Sequence, residues 1–565
     1  MSMMMNQFKN KSGFFIDLGF VILSAVLFAA SFPNILIKNG LPFLAWFAYI
    51  PILAVIRKYN PLICVFWGII YGLAAYSLFN YWLGSFHPAA GIIVYSIYAV
   101  YLAVVFLLLK LAEIFFYKNA AGGEVSRAYL IQWIIWLAYE YLSTKGFLGY
   151  PYGITGYTQW QFLPLIQIAG ITGIWGVSAL VTFPSFWLAG ILPQTMRTSA
   201  NKKNLIKDYC RILLKDKMPA IIWLAALTAS LIYGFINING YSSKIASGDF
   251  KTARIALVQH NTDPWEASKA PSHWQRIEAY RKDLSILKQL SDEALASSPR
   301  PQMVVWPETA FIPRIYWHAT YRSDQESWTV VRELLEYLSN QDVPFLIGND
   351  DARMDSEGNR IDYNAAMLFE NGIHTATYRK LHLVPFTEHF PYKKQFPEFY
   401  KWLEKADTHF WEKGNEETIF SGHGFKFSTP ICFEDTFGYL SRNFTRKGAD
   451  VFINLTNDAW SKSLSAQKQH LSMAVFRSAE NYRPTVRATI SGQTCVIDPT
   501  GKVTAEAAPF SKNYLNAEII LLNQKKSTIY TKYGDYLGVF FTCAAVIILI
   551  FGAAWYTIRK QKIIK

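Results

Sequence analysis

Eight long apolar runs, seven before residue 240 and one near the C-terminus, constrain this chain more than any other feature of its sequence. The first covers about 14–32; the others lie near 41–56, 61–82, 90–116, 129–144, 163–192, 218–238 and 535–557. Each is near the length a helix needs to cross about 30 Å of hydrocarbon. In that layer every backbone group must be hydrogen-bonded within the protein, which helices achieve by themselves. The expected architecture is therefore a multi-pass α-helical membrane bundle of about eight transmembrane helices, with 41–56 and 129–144 the shortest. Ala29-Ala-Ser31 is faintly like a signal-peptidase site, but the run is long for a signal peptide and further spans follow, so it reads as a retained helix.

Composition adds that the chain is not all membrane. Of 565 residues 52% are hydrophobic, too many for an ordinary soluble enzyme, while 17% charged is too many for a pure bundle. The sequence divides into a bundle over 1–240, an extramembrane domain over 241–530, and a last span with a basic tail over 531–565. The formal charge of +14 collects in short stretches between apolar runs. That is the pattern of membrane topology, so nucleic-acid binding is not expected. The N-terminus, Arg57-Lys58, the segment holding Lys118 and Arg127, the loop Arg197 to Lys217 and the tail Arg559-Lys-Gln-Lys562 are the cytoplasmic candidates. An even number of spans puts both termini inside and the 240–530 stretch outside the cytoplasmic membrane. Five cysteines (Cys64, Cys210, Cys432, Cys495 and Cys543) show neither metal-ligand spacing nor a disulfide framework.

Inside the apolar runs, Glu140, Lys110 and Glu113 are costly unless they face a bundle interior or cavity, or are held by structural hydrogen bonds. The Gly- and Tyr-rich stretch from Gly149 to Gln159 reads as an aromatic belt at the outer interface.

Beyond Ala253 the periodicity changes. Strands are expected at Arg254–Gln259, Met303–Trp306, Pro344–Gly348, near 364–369 and 374–380, at 425–432, Val451–Leu455 and 486–498. Helices are expected near 271–297, 326–340, 436–447 and 465–482. Strand–helix alternation with hairpins predicts a layered α/β domain.

Phe427-Ser-Thr-Pro-Ile-Cys-Phe-Glu434 reads as a buried strand ending on a cysteine, followed by acidic residues and a helix start, where amide groups favour a thiolate. A cysteine among apolar residues is more often inert packing than a nucleophile. Two other stretches shift that balance. Glu308 ends the buried-type strand Val304-Val-Trp-Pro-Glu308, where desolvation makes a carboxylate a usable base. Lys380 closes another strand and can face a developing oxyanion, and Glu388, eight residues on, can orient Lys380 or shuttle protons. Taken singly, each of these is better explained by a surface or salt-bridged side chain.

Trp-Pro-Glu308, Lys380 with Val-Pro-Phe-Thr-Glu388, and Ile-Cys432-Phe-Glu434 resemble, in order, the Glu–Lys–Cys triad of the nitrilase (carbon–nitrogen hydrolase) superfamily. With apolar runs on both sides, the chain is similar to the apolipoprotein N-acyltransferase family. Val258-Gln-His-Asn261, Asn457-Asp-Ala-Trp460, Gln469-His470, Asn481-Tyr-Arg-Pro484, Arg487-Ala488 and Ile497-Asp-Pro-Thr-Gly501 also resemble family blocks. So do Gly156-Tyr-Thr-Gln159 and the stretch from Leu165 to Ser178 in the membrane half. The resemblance implies a nitrilase-like αββα sandwich on the periplasmic side of a bacterial inner membrane. It implies Cys432 as nucleophile, Glu308 as base and Lys380 as oxyanion stabiliser. Glu388, Glu434 and Phe433 would support them, the last through its backbone N–H, since it stands where the family often has Tyr. Thr387 in place of a frequent Gly, and Ser461 after Trp460 where Phe-Gly is common, are further departures.

Trp265 is a candidate match to a functional family tryptophan. Phe390, Tyr392 and Trp460 complete the expected substrate-binding set. The aromatic and basic segment Val384–Lys405 is expected to be an interfacial arm that guides acyl chains, or else plain packing of the domain.

The implied reaction is ping-pong. Cys432 takes the sn-1 acyl chain of a phospholipid as a thioester, and the α-amine of a diacylglyceryl-cysteine on an apolipoprotein then takes it as an amide. No cofactor or metal is expected, and the protein is expected to be a monomer in the lipid bilayer. Two other readings stand beside this one: a membrane-tethered amidase with water as acceptor, and a transporter or lipid-binding scaffold without catalysis.

Overall fold

The computed structural model describes residues 11–86, 88–116, 127–198, 205–263, 269–405, 410–422, 424–523 and 527–564. Contacts divide the chain into two units, one within Met1–Ile236 and Asp535–Lys565, the other Asn237–Gly534.

The first unit is helical. Its main helices are α1 (Lys11–Ser31), α2 (Ile50–Lys58), α3 (Pro61–Phe79), α4 (Pro88–Phe116), α5 (Ala128–Leu142), α6 (Ile174–Thr198), the start of α7 (Lys217–Ala246) and the C-terminal helix Tyr536–Ile564. Among the described residues six helices are long and apolar enough to cross a membrane: Ser12–Ser31, Pro61–Phe79, Ala90–Phe116, Ile174–Ile191, Lys217–Ala246 and Tyr536–Gln561. Two of the eight expected spans fall short of that length. The 41–56 stretch breaks into a 3-10 turn, Pro42–Trp46, and the nine-residue α2, because Pro42 and Pro51 each begin a new helix. The 129–144 stretch forms α5, with 15 residues. The 163–192 run is also interrupted: two four-residue helices precede Gly173, whose φ of 65° ends them before α6 begins.

Small residues bring α3 against α4. A Cβ on Gly68 would lie 2.5 Å from the Leu102 carbonyl oxygen, and one on Gly72 would lie 2.7 Å from Ala99 Cα. Such approach is what lets helices associate where hydrophobic burial supplies no driving force. The charges flagged in the apolar runs are held inside the protein, Lys110 and Glu113 by each other and Glu140 by neutral donors. Lys110 Nζ donates to Glu113 Oε2 at 3.0 Å and to the Arg57 carbonyl at 3.1 Å. Glu140 Oε1 accepts from Trp136 Nε1 at 3.1 Å and from the amide and hydroxyl of Thr155. The Gly149–Gln159 stretch is therefore no interfacial belt. Its Thr155–Gln159 turn is wholly buried and pinned to α5, and Tyr152 and Tyr157 point inward.

The second unit holds two six-stranded sheets. The first runs β12-β1-β2-β3-β4-β5 and the second β11-β10-β9-β8-β7-β6. In the first are β1 (Phe250–Gln259), β2 (Met303–Trp306), β3 (Phe345–Met354), β4 (Arg360–Glu370), β5 (Ile373–Arg379) and β12 (Asn513–Leu522). The second has β6 (Phe420–Gly422), β7 (Phe425–Ser428), β8 (Val451–Thr456), β9 (Thr485–Thr489), β10 (Cys495–Ile497) and β11 (Val503–Glu506). The parallel strands β1-β2-β3 and β7-β8-β9 form the centres. β2, β8 and β9 are buried along their whole length, as strands covered on both faces must be.

Helices α8 (His273–Leu295) and α9 (Gln325–Ser339) cover the first sheet through Leu284, Leu287, Val330 and Leu334, which pack with Trp306 and Phe345. Helix α11 (Leu464–Asn481) lies on the second against β9, and α10 (Gly438–Arg446) packs beside α11. β1 and β2 lie against β9, so the layers run helix–sheet–sheet–helix. This is the expected nitrilase-like sandwich. Strands β6, β11 and β12 are additions to the expected set; β12 pairs antiparallel along all ten residues of β1 and closes the first sheet.

Candidate active site

Three loops at strand ends converge, and each carries a residue in the left-handed backbone region: Thr309 at φ 46°, Phe386 at 65° and Cys432 at 49°. Such conformations cost of order 1–3 kcal/mol each and persist where the surroundings over-determine them.

Glu308 follows β2 by two residues. Gly348 in β3 permits this, since a Cβ there would come 2.2 Å from the Pro307 carbonyl oxygen. The side chain is 5% exposed, and both of its oxygens are held. Oε1 accepts from Asn364 Nδ2 at 2.8 Å and from Lys380 Nζ at 3.2 Å, and Oε2 accepts from the Asn457 amide at 2.8 Å.

Lys380, the residue after β5, is fully buried, and its Nζ also donates to Glu388 Oε1 at 2.8 Å. Burial works to lower its pKa, but the carboxylates of Glu308 and Glu388 outweigh burial and hold it above the ordinary lysine range. Glu388 Oε2 accepts from the Val384 amide at 2.9 Å. Burial raises the Glu388 pKa, against the opposing pull of Lys380.

The expected strand over 425–432 stops at Ser428. Pro430 has no N–H for a ladder, and a single bridge, Ile431 to Leu455, carries the chain to Cys432. Cys432 is the first residue of a 3-10 turn, Cys432–Thr436, and is partly accessible. Burial, then the Glu308 carboxylate, pushes its thiol well above the usual range, with Lys380 opposing. Such a thiol stays protonated until a base takes its proton, and Glu308, held beside Lys380, is the carboxylate that acts on it most strongly.

Glu434 is fully buried and joins two of the loops. Its Oε1 accepts from the amides of Leu381 at 2.7 Å and His382 at 2.9 Å, and its Oε2 from the Ile431 amide at 2.7 Å. The Tyr378 hydroxyl donates to it at 2.9 Å. Burial pushes its pKa up to about 7, against those backbone donors. Phe433 is buried with its ring 4.9 Å from that of Phe437.

Of the expected substrate-binding residues, Phe390 is buried with its ring 5.4 Å from Phe399, while Tyr392 is exposed. Trp460 is half-buried in the turn Ala459–Ser461. Trp265 lies outside the described residues. The 384–405 segment divides its apolar side chains: Phe390 and Leu403 pack inward, whereas Phe396, Phe399 and Trp402 are exposed. Sequence reasoning missed Asn364 and gave no role to Asp435, Asp458, His470 or Arg487, which form a buried cluster beneath the Cys432 turn. An asparagine inside the apolar strand Tyr363-Asn-Ala-Ala-Met367 was the available signal for the first.

Two family models match the chain. Residues 254–523 match carbon-nitrogen hydrolase, and 24–187 match the apolipoprotein N-acyltransferase N-terminal domain. Apolipoprotein N-acyltransferase 1 of Treponema denticola is 44% identical over 560 residues, covering 96% of this chain and 97% of the relative. Its namesake in Treponema pallidum is 43% identical over 551 residues, covering 96% of each. The apolipoprotein N-acyltransferase of Borreliella burgdorferi is 30% identical over 519 residues, covering 91% of each. Among solved structures, a nitrilase-superfamily protein of Saccharomyces cerevisiae is 20% identical, covering 47% of this chain and 90% of that one, with a TM-score of 0.34.

Proposed function

The chain belongs to the apolipoprotein N-acyltransferase family, and from that membership we propose that Cys432 carries an acyl chain from a phospholipid to the N-terminal amine of a diacylated apolipoprotein. The protein is a bacterial membrane enzyme whose substrates are phospholipid and lipoprotein. The observation that carries the site assignment is the placement of Lys380 Nζ, within 3.2 Å of Glu308 and 2.8 Å of Glu388, with all three charges acting on the Cys432 thiol.

In the first step Glu308 takes the thiol proton while Cys432 Sγ attacks the sn-1 ester carbonyl. Lys380 and the Phe433 amide hold the oxyanion. The intermediate collapses to a thioester, and the lysophospholipid oxygen leaves with the proton from Glu308. In the second step the lipoprotein α-amine attacks the thioester carbonyl. Glu308 takes a proton from the amine, the amide forms, and the Cys432 thiolate leaves to be reprotonated. Glu388 keeps Lys380 aimed, and Glu434 holds the Lys380 and Cys432 loops together.

The bundle is assigned to 1–240 with the last span and tail in 531–565, and the catalytic domain to 241–530. That domain sits on the periplasmic face with both termini cytoplasmic, an orientation supported by the Lys/Arg-rich segments between the apolar runs. The exposed Tyr392, Phe396, Phe399 and Trp402, with Trp265 and Trp460, receive the acyl chains, and the protein acts as a monomer.

Purified protein incubated with acyl-labelled phosphatidylethanolamine should acquire label on Cys432 and release it as amide to a diacylated peptide. Cys432→Ala should do neither. Label passed to water in preference to the amine would instead favour a membrane-tethered amidase, and acylation surviving in Cys432→Ala would remove Cys432 from the mechanism.

A further inference from the structure

Beneath the Cys432 turn lie four charged side chains that take no part in the two steps above. Asp435, Asp458, His470 and Arg487 are each no more than 3% exposed. Each comes from a different element: the turn after Cys432, the loop after β8, helix α11 and strand β9. His470 Nε2 is 2.7 Å from Asp435 Oδ1, and its Nδ1 is 3.2 Å from Asp458 Oδ1. The Arg487 guanidinium pairs with Asp435 Oδ2 and lies 3.7 Å from Asp458 Oδ2.

A neutral imidazole carries one N–H and one lone pair. Here both ring nitrogens face carboxylate oxygens, so a neutral ring of either tautomer would aim its lone pair at an anion. Two donors are required, which makes the ring an imidazolium. Charge balance agrees: two carboxylates cancel Arg487 and a protonated His470, whereas a neutral ring leaves an unpaired buried negative charge, which is strongly disfavoured. Burial works to lower the His470 pKa, but the two carboxylates outweigh it and hold the ring up to about 9. One further cation, Arg477, acts on Asp435; it donates to the Thr436 carbonyl at 2.8 Å and pairs with Glu480. Of the charges acting on the Cys432 thiol, Glu308, Asp458 and Glu388 oppose its ionisation and Lys380 favours it, and Arg487 of the cluster interacts with it as well.

The cluster also links the two reacting loops. His470 Nε2 lies 3.3 Å from the Cys432 carbonyl oxygen. Asp458, on the other side of the ring, follows Asn457, whose amide holds Glu308 Oε2 at 2.8 Å. We propose that His470, as an imidazolium, is a positioning residue for acyl transfer: it fastens the Cys432 turn to the Asn457–Asp458 loop, so fixing nucleophile against base. It also cancels negative charge that opposes the Cys432 thiolate. This rests on the assignment of Cys432 and Glu308 above.

The test uses full-length protein in detergent micelles and follows two readouts at Cys432 across pH: alkylation by iodoacetamide, located by peptide mass spectrometry, and thioester formation from labelled phosphatidylethanolamine. In His470→Gln the cluster carries one net negative charge. Thioester formation should fall roughly 10- to 100-fold with KM for the phospholipid nearly unchanged, and the alkylation profile should move up by about one pH unit, the effect of a unit charge a few residues away at protein-like screening. Asp458→Asn combined with His470→Gln restores neutrality and should bring the profile back. If His470→Gln does not fold, Asp458→Asn alone, with one net positive charge, should move the profile down. Folded variants whose profiles stay at the wild-type position overturn the proposal while leaving Cys432 as nucleophile. Wild-type protein that takes no acyl label on Cys432 overturns the nucleophile assignment, and this proposal with it.

Discussion

Lys380 and Glu388, eight residues apart, close their loop with a 2.8 Å bond between Nζ and Oε1, and the lysine is fully buried. A cation so placed is kept by its carboxylates, and they by it. Lys380→Met should therefore leave Glu308 and Glu388 buried and uncompensated, at a cost of roughly 3–5 kcal/mol in stability. Acyl transfer should fall by more than about 10³-fold, since the oxyanion loses its main cation. Adding Glu388→Gln should recover much of the thermal stability in detergent and none of the activity. If the double variant were no more stable than Lys380→Met, the pairing would not be what holds this loop.

Glu434 makes a different kind of prediction, because it touches no substrate. Its carboxylate accepts from three backbone amides, those of Ile431, Leu381 and His382, and from the Tyr378 hydroxyl. Glu434→Gln puts an amide NH2 against at least one of those donors, which costs about 1–3 kcal/mol for each group left unpaired. Thioester formation should drop at least about 100-fold although Glu308, Lys380 and Cys432 are all intact. A Glu434→Gln enzyme turning over at the wild-type rate would show that the two loops hold their places without it.

The cysteines separate by burial. Burial raises both the Cys432 and the Cys495 thiols, so access decides between them: Cys495 is fully buried, while Cys432 is partly accessible. Iodoacetamide at neutral pH should modify Cys432 and spare Cys495 in the folded protein. Cys495→Ala should keep acyl transfer within about twofold and lose on the order of 1 kcal/mol of stability, as expected for a small buried side chain. Inactivity in Cys495→Ala at unchanged stability would mean that the thiol beside Arg487 does more than pack.

How much of this was legible depended on whether a residue's neighbours lay close in the chain. Glu308, Lys380 and Cys432 each stand at or just beyond the end of a strand and inside a recognisable motif, so both their position and their company were readable in the sequence. Phe433 and Glu434 were readable as immediate neighbours of the cysteine. Asn364, Asp435 and Arg487 were not, because each gains its meaning from a partner more than 50 residues away that the fold brings to it: Glu308 for Asn364, and Asp435 and Arg487 for each other. His470 sits in a helix where a lone histidine between a glutamine and a leucine carries no periodic signal. In the membrane half, hydropathy marked every apolar run but could not see that Pro42, Pro51 and Gly173 divide two of them. It also read the buried Thr155–Gln159 turn as interfacial, since tyrosines inside a bundle and tyrosines at its rim look alike in sequence.

The histidines of the catalytic domain give stability a defined pH dependence. His260 is buried with its pKa pushed down to about 3, first by burial and then by Lys512. Below its ordinary value of 6.5 the unfolded chain binds a proton that the folded one refuses, so stability falls as the pH drops from 6.5 towards 3. His382, stacked 3.7 Å from the Phe437 ring and also held down to about 3 by burial, adds to the same acid limb. His470 has the opposite sign. Its folded pKa of about 9 lies above the unfolded 6.5, so its contribution is complete below 6.5 and is lost as the pH rises through 9. That difference corresponds to on the order of 3 kcal/mol. Thermal unfolding of the wild type should therefore occur at progressively lower temperature between pH 7 and 9.5, and again below pH 6. His470→Gln should flatten the alkaline decline and leave the acid one in place. An alkaline decline of equal depth in both proteins would place its origin in other groups and would remove the requirement that His470 be charged in the folded enzyme.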